Sequence, residues 1–183
     1  MFLTEEEYKY VKNNVRQVPD HPKKGIIFLD ITTVLKDKKA YKLMLDYLEH
    51  ELKGEKIDKV VCIEARGFIF GAALADRLNA GCVIVRKPNK LPCKTVSEKY
   101  FLEYGHDELH MHVDAVESGE RVLVVDDLLA TGGTAEAAVK LVSSTGARVV
   151  AAAFPIELTP LKGRGRLEKL GAKVVTMLRY NIG

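Results

Sequence analysis

The stretch Arg121-Val122-Leu123-Val124-Val125-Asp126-Asp127-Leu128-Leu129-Ala130-Thr131-Gly132-Gly133-Thr134 sets four features in order: an apolar run, two carboxylates, a small-residue loop and the start of a helix. A continuous valine-rich run suits a strand covered on both faces, as in a parallel sheet. Asp126 and Asp127 stand where that strand should end. Glycines allow positive φ and close approach of the backbone to a ligand. The free N–H groups and dipole of a following helix, read over 135–142, favour an anion at its start. The hydroxyls of Thr131 and Thr134 add donors. Ala130, Thr131, Gly132, Gly133 and Thr134 therefore read as a phosphate cradle. No Gly-Lys-Ser/Thr follows and Gly-x-Gly-x-x-Gly is absent, which excludes the Walker and dinucleotide loops. Carboxylates beside a phosphate need another partner. Ribose hydroxyls, or a divalent cation that offsets the charge, would supply one. The stretch reads as a sugar-phosphate site.

On the N-terminal side, Thr4 and Glu7 fit a capping box for a helix ending near Val15. Residues 18–25 read as turns and 26–31 as extended. Apolar residues at helical spacing predict a second helix over 38–52. Strands are then expected over 59–62, 82–86, 148–153 and 173–177. Helices are expected over 67–78 and 160–170. Strands alternating with helices imply an α/β fold, a parallel sheet flanked by helices on both faces. Ligands of such sheets bind outside the carboxyl ends of the strands, where the acidic pair falls. Residues 87–108 interrupt the alternation. Pro88, Pro92 and several charges make this a poor helix, and its length marks either a functional lid or disorder; 100–104 and 108–113 could form a hairpin within or beside it, turning at Gly105-His106-Asp107.

At 183 residues and 47% hydrophobic content, the chain is expected to form one domain with a sizeable core. A net charge of +3 is too small to argue for a nucleic-acid or membrane surface. Three cysteines without metal-ligand spacing read as reduced thiols of the cytoplasm. The acidic N-terminus does not read as a signal peptide, and no stretch is long enough to cross a bilayer.

Glu64-Ala65-Arg66-Gly67-Phe68 is a second strand-to-helix loop. Arg66 offers a planar cationic fork to phosphate oxygens. Two such loops at neighbouring strand ends suit a ligand phosphorylated at both ends. Arg86, Lys87 and Lys90 place further positive charge at the root of the lid.

These motifs resemble those of adenine phosphoribosyltransferases, a branch of the type I phosphoribosyltransferase family. Residues 125–134 resemble its motif for phosphoribosyl pyrophosphate (PRPP). Residues 64–68 resemble its pyrophosphate loop, and 22–32 its N-terminal signature. Arg86, Lys87, Lys90-Leu91-Pro92 and Leu102-Glu103-Tyr104-Gly105 resemble its flexible loop. Ile156-Glu157-Leu158 with Leu161, Gly163 and Arg164 resembles its C-terminal signature. The resemblance implies a hood segment over about 1–35 and a flexible loop over about 87–108. It implies transfer of ribose 5-phosphate from PRPP to adenine, giving AMP and pyrophosphate in purine salvage. Asp126 and Asp127 would hold the ribose hydroxyls, and residues 130–134 the 5′-phosphate. Ala65, Arg66, Arg86 and Lys90 would serve the pyrophosphate. Glu103 would handle the proton of the base. Main-chain groups of Ile27, Phe28 and Leu29 would read the purine edge, with Phe28 and Leu129 packing on the ring. Mg²⁺ would be held mainly through PRPP, with no direct protein ligand, and the enzyme would be a homodimer. Two departures stand out: Leu29 replaces a common basic residue, which touches base recognition, and Cys93-Lys94 replaces a small residue and proline in the lid. A 6-oxopurine substrate, or a non-catalytic PRPP sensor, are the alternatives.

Overall fold

The computed structural model describes residues 2–101 and 106–182. The chain begins with α1 (Glu5–Asn14), closed by the expected capping box. Glu7 N–H donates to Thr4 Oγ1 at 3.2 Å and Thr4 N–H to Glu7 Oε2 at 2.8 Å. Next come β1 (Arg16–Pro19) and β2 (Ile27–Asp30), an antiparallel pair in which Val18 faces Phe28. The short α2 (Thr32–Leu35) leads into α3 (Lys38–Glu51), whose first turn is capped by Asp37. Then follow β3 (Lys59–Ile63), α4 (Gly67–Arg77) and β4 (Gly81–Val85). An antiparallel ribbon of β5 (Thr95–Phe101) and β6 (His106–His112) precedes β7 (Arg121–Val125) and the short β8 (Leu128–Leu129). The chain ends with α5 (Gly133–Ser143), β9 (Arg148–Leu158), α6 (Gly163–Glu168) and β10 (Lys173–Tyr180).

The main sheet runs β10-β9-β7-β3-β4, all parallel, with β8 pairing beside β9. Alternate side chains of β7 go to opposite faces, as a pleat requires. Leu123 and Val125 join a core with Leu43, Met44, Phe70 and Leu74, under α3 and α4. Val122 and Val124 join a second core with Ala138, Val142 and Leu167, under α5 and α6, which also takes in Tyr100, Leu109 and Met111 of the ribbon. Burial on both faces explains why β3 and β7 read as unbroken apolar runs.

Three expectations are corrected. The ribbon begins at Thr95, not Tyr100, and His106 and Asp107 sit within β6, paired with Phe101 and Tyr100. Residues 102–105, which include Gly105 of the expected turn, lie outside the described residues. The expected helix over 160–170 is divided: a 3₁₀ turn (Thr159–Leu161) and α6 are separated by Lys162 at φ +57°. Gly163 and Gly165 are weak helix formers, so packing and not propensity fixes this segment. Finally, β9 runs five residues beyond Ala153, because β8 and β10 continue to pair with it.

Arg121 opens β7 and grips Asp58 ahead of β3. Its Nη2 donates to Oδ1 at 2.7 Å, its Nε to Oδ2 at 2.9 Å, and its backbone N–H to Oδ2 at 2.8 Å. Hydrogen bonds from the Arg121 side chain and backbone hold the Asp58 carboxyl well below the usual carboxylate range. A depressed acid stabilises the fold above its unfolded value of about 3.9 and loses that effect as pH falls below it. Arg121→Met should therefore melt at a lower temperature than wild type at pH 7, with the gap closing below about pH 4. Thermal melts at stepped pH check this.

Candidate active site

The site forms where β3 and β7 end side by side. Beyond Ile63, residues 64–66 turn into α4. Beyond Val125 come the acidic pair, β8, and the loop that enters α5. The two turns touch through a glycine. A Cβ on Gly67 would lie 2.7 Å from the Val125 carbonyl oxygen and 3.2 Å from Asp126 Oδ1. Any side chain there would push the two loops apart. The Glu64–Ala65 peptide in the first loop is cis.

The acidic residues differ in environment. Asp127 is 7% exposed and accepts from Arg66 Nε, an ion pair that joins the two loops. Asp126 Oδ1 accepts from the Asp127 N–H at 2.9 Å. Burial, reinforced by the neighbouring Asp127 charge, raises the Asp126 pKa well above the ordinary carboxylate value. A carboxylate held in this way favours a ligand that donates hydrogen bonds to it or brings positive charge. Arg66 is half exposed, and its guanidinium carbon lies 5.9 Å from the centre of the Phe28 ring. β2 is thereby tied to the pyrophosphate-type loop. His21 meets the Phe28 ring edge-on, 5.2 Å between ring centres.

Residues 130–134 lie between β8 and the first turn of α5. Gly132 takes the left-handed conformation, φ +81°, and Gly133 starts α5. A cavity of about 90 Å³ is lined by Asp126 and by residues 128–135. Thr131 is exposed and Thr134 half-buried. A larger cavity of about 430 Å³ lies elsewhere, against Phe2, His50 and Arg77, but its arginine is already held by Asp46 and Glu49. Volume alone does not mark the site; the chemistry of the strand ends does.

The lid cations are more occupied than their sequence suggests. Arg86 Nε donates to Glu64 Oε2 at 2.9 Å, and its Nη1 to the Lys90 carbonyl at 3.3 Å. Glu64 also accepts from the Lys87 N–H at 3.1 Å. Lys87 Nζ bonds Tyr100 Oη and Asp107, pinning the ribbon to its root. Burial lowers the Lys87 pKa, but the bonds to Asp107 and Tyr100 outweigh it and leave it raised. Ala65 and Lys90 are exposed. Glu103 lies outside the described residues.

Two expected base contacts are placed in the core. Leu29 is 4% exposed and belongs to the same apolar cluster as Val11 and Val34; Leu129 is 1% exposed. Ile27 is exposed and Phe28 half-buried. The departure at Leu29 is thus a change of packing, and only its main chain can face a ligand. Sequence reading missed Glu64, Tyr100 and Asp107 as anchors of the lid, since a lone acid in a loop carries no signal of its partner. It also gave no role to Glu157 and Arg164. Their signal was a glutamate inside the apolar run Ala151-Ala152-Ala153-Phe154-Pro155-Ile156-Glu157-Leu158.

The parallel sheet presents an acidic pair, a glycine-rich loop and an arginine loop at its strand ends; residues 32–179 match the phosphoribosyl transferase domain family, and the chain belongs to that family. Several relatives carry the name adenine phosphoribosyltransferase. The chain is 56% identical over 171 residues to an adenine phosphoribosyltransferase of Bradyrhizobium sp., covering 93% of this chain and 96% of that one. The crystal structure of adenine phosphoribosyltransferase from Rhodothermus marinus superposes with a TM-score of 0.91 at 48% identity, covering 97% of this chain and all of that one. The Saccharomyces cerevisiae enzyme, complexed with an imino-altritol bisphosphate and adenine, gives a TM-score of 0.88 at 36% identity over 96% of this chain and all of that one.

A Cβ on Gly132 would sit 3.0 Å from both the Gly163 Cα and its carbonyl oxygen, at a left-handed φ. Gly132→Ala should cost at least about 1–2 kcal/mol from the left-handed backbone alone. Chemical denaturation should show a lower midpoint with an unchanged slope.

Proposed function

We propose that this chain, a pentosyltransferase of the adenine phosphoribosyltransferase branch, transfers ribose 5-phosphate from PRPP to adenine through the strand-end site. The observation that carries the reading is the contact of two loops, one acidic with a phosphate cradle and one bearing Arg66, at the ends of adjacent parallel strands. Residues 130–134 hold the 5′-phosphate with backbone N–H groups at the start of α5. Asp126 and Asp127 accept from the ribose hydroxyls. This fixes the anomeric carbon in line between base and leaving group. The adenine N9 lone pair forms the new C–N bond while the C–O bond to pyrophosphate breaks and its electron pair leaves with the pyrophosphate. Positive charge develops on the ring, as in glycoside hydrolysis. Arg66, Arg86 and Lys90, with the Ala65 turn, receive the diphosphate. By the family pattern, Glu103 takes the N9 proton.

Phe28 offers a face to the purine, and main-chain groups of residues 27–29 read its edge. Leu129 supports the floor from beneath. The S. cerevisiae relative, crystallised with adenine, supports adenine as the base. An acceptor facing the adenine amino group would face another acceptor in hypoxanthine, a mismatch that costs a few kcal/mol when buried.

Among the described residues no group of three acids, histidines or cysteines is placed to hold a metal, and Asp127 is committed to Arg66. Asp126 is the carboxylate that would stand beside a Mg²⁺ held through PRPP. If bound, the ion would supply charge neutralisation for the departing pyrophosphate. By the family resemblance, the enzyme would work as a cytoplasmic homodimer. Among the described residues no helix is long and apolar enough to cross a membrane.

Steady-state assays with adenine, hypoxanthine, guanine and xanthine test the reading: adenine should be preferred by about a hundredfold or more. A better 6-oxopurine substrate would overturn the base assignment and leave the PRPP assignment standing. Asp126→Asn tests the ribose contact. Its raised native pKa means that wild type loses stability as pH rises from about 4 through the native value, whereas the amide does not titrate. The variant should match or exceed wild type in melting temperature at pH 7, with kcat/KM down about a hundredfold or more.

A further inference from the structure

We propose that Glu157, Arg164 and Thr176 are positioning residues: a buried clamp that holds Gly163 against the back of the phosphate cradle and so presets the cradle for its ligand. The proposal rests on residues 130–134 binding the 5′-phosphate, and adds how that loop is kept in shape.

The cradle has little of its own to hold it. It is a run of small residues, with the left-handed Gly132 leading into α5. Its rear surface touches backbone. A Cβ built on Gly163 would lie 2.3 Å from the Ala130 carbonyl oxygen, 2.9 Å from the Gly132 nitrogen and 3.0 Å from Leu129 Cδ1. The reciprocal contact, Gly132 on Gly163, is the 3.0 Å approach described above. Two backbones meet here, with the Leu129 side chain beside them. A shift of Gly163 is transmitted directly to the N–H groups of the loop, because close-packed backbone has no slack to absorb it.

Gly163 itself sits at a weak point of the chain. It follows left-handed Lys162, opens a helix of only six residues, and precedes the exposed Gly165. Helix propensity cannot fix such a segment. The adjacent residue does. Arg164 directs its guanidinium mainly to the sheet: Nε to Glu157 Oε1 at 3.0 Å, Nη2 to Glu157 Oε2 at 2.7 Å and to Thr176 Oγ1 at 2.8 Å, and Nη1 to the Val174 carbonyl at 2.8 Å, with Glu168 of its own helix 3.5 Å from Nη1. Thr176 Oγ1 also meets Glu157 Oε2 at 2.8 Å. Glu157 and Thr176 are 5% and 6% exposed. Arg179 reaches the same Glu157 oxygen at 3.3 Å.

The placement of Glu157 completes the link. In the β8–β9 ladder it is the register partner of Leu129, the residue that enters the cradle. One strand thus sets the front of the loop through its ladder and the back through the clamp. A buried ion pair is weak evidence of stability, since apolar residues of similar volume often serve as well. A planar two-pronged pair does fix orientation, which a greasy contact would not.

The test compares Glu157→Gln, Arg164→Lys and Gly163→Ala with wild type, and with Asp58→Asn as a variant that loses an ion pair remote from the cradle. Steady-state KM for PRPP and for adenine, AMP affinity by calorimetry, and melting temperature are measured on the intact protein well below its melt. Arg164→Lys keeps the charge and loses the fork, so it covers the case in which Glu157→Gln folds poorly. Gly163→Ala perturbs the same contact while leaving the clamp intact. The expected signature is a tenfold or larger rise in KM for PRPP and in Kd for AMP in all three, with KM for adenine within about twofold. Asp58→Asn should lower the melting temperature and leave both KM values unchanged. Wild-type KM for PRPP in the folded variants, or an equal rise for adenine and PRPP, or the same rise in Asp58→Asn, would overturn the clamp. A wild-type protein that neither uses PRPP nor binds AMP would instead overturn the functional reading itself.

Discussion

Contact between main chains, made possible by missing side chains, is the constraint on which the site depends. Gly67 lets α4 start against Val125 and Asp126, and Gly163 lets α6 start against Ala130 and Gly132. Each contact joins a loop to the neighbouring strand end at a distance that a methyl group would not permit. The parallel sheet supplies the ends in register, and the two apolar layers on its faces keep them there. Small residues in this chain are therefore concentrated where elements cross, not only where a ligand is expected.

Charge is organised around the same crossing. Arg66 meets Asp127, Arg86 meets Glu64, and Lys87 meets Asp107. Arg66 and Arg86, proposed above to receive the diphosphate, are each paired with a carboxylate. Each partner keeps its cation near the strand ends and limits the number of conformations to be lost on binding. Asp126 stands apart: burial and a like charge both oppose its ionisation. The site carries this unfavourable carboxylate where ribose hydroxyls would satisfy it, a local cost borne by the rest of the fold.

The ribbon shows a different balance. It lies outside the main sheet, yet Tyr100, Leu109 and Met111 are buried in the core beside α5. It is a packed element with an exposed root, over which Lys90 and Cys93 are solvent-facing. Its strand character comes from alternation that begins at Thr95. The prolines and charges just before that point hid it, because they describe the root and not the strands.

What the sequence by itself determined is whatever depends on neighbours along the chain. The apolar run of 121–125, the acidic pair, the small-residue loop and the helix behind it are local, and so are the α1 cap and the α/β alternation. Periodicity and turn chemistry encode them directly. Which residues meet across the chain was decided only by the tertiary structure. Leu29 and Ile27 look alike in sequence, but one is in the core and the other exposed. Arg66 looks available and is paired with Asp127, sixty-one positions away. Glu157 and Arg164 come together because β9 continues past Ala153 and the chain then turns back at Lys162. A partner that lies one strand over has no fixed spacing in sequence. Its identity is set by register and by the crossing of helices over the sheet, which are properties of the packed whole.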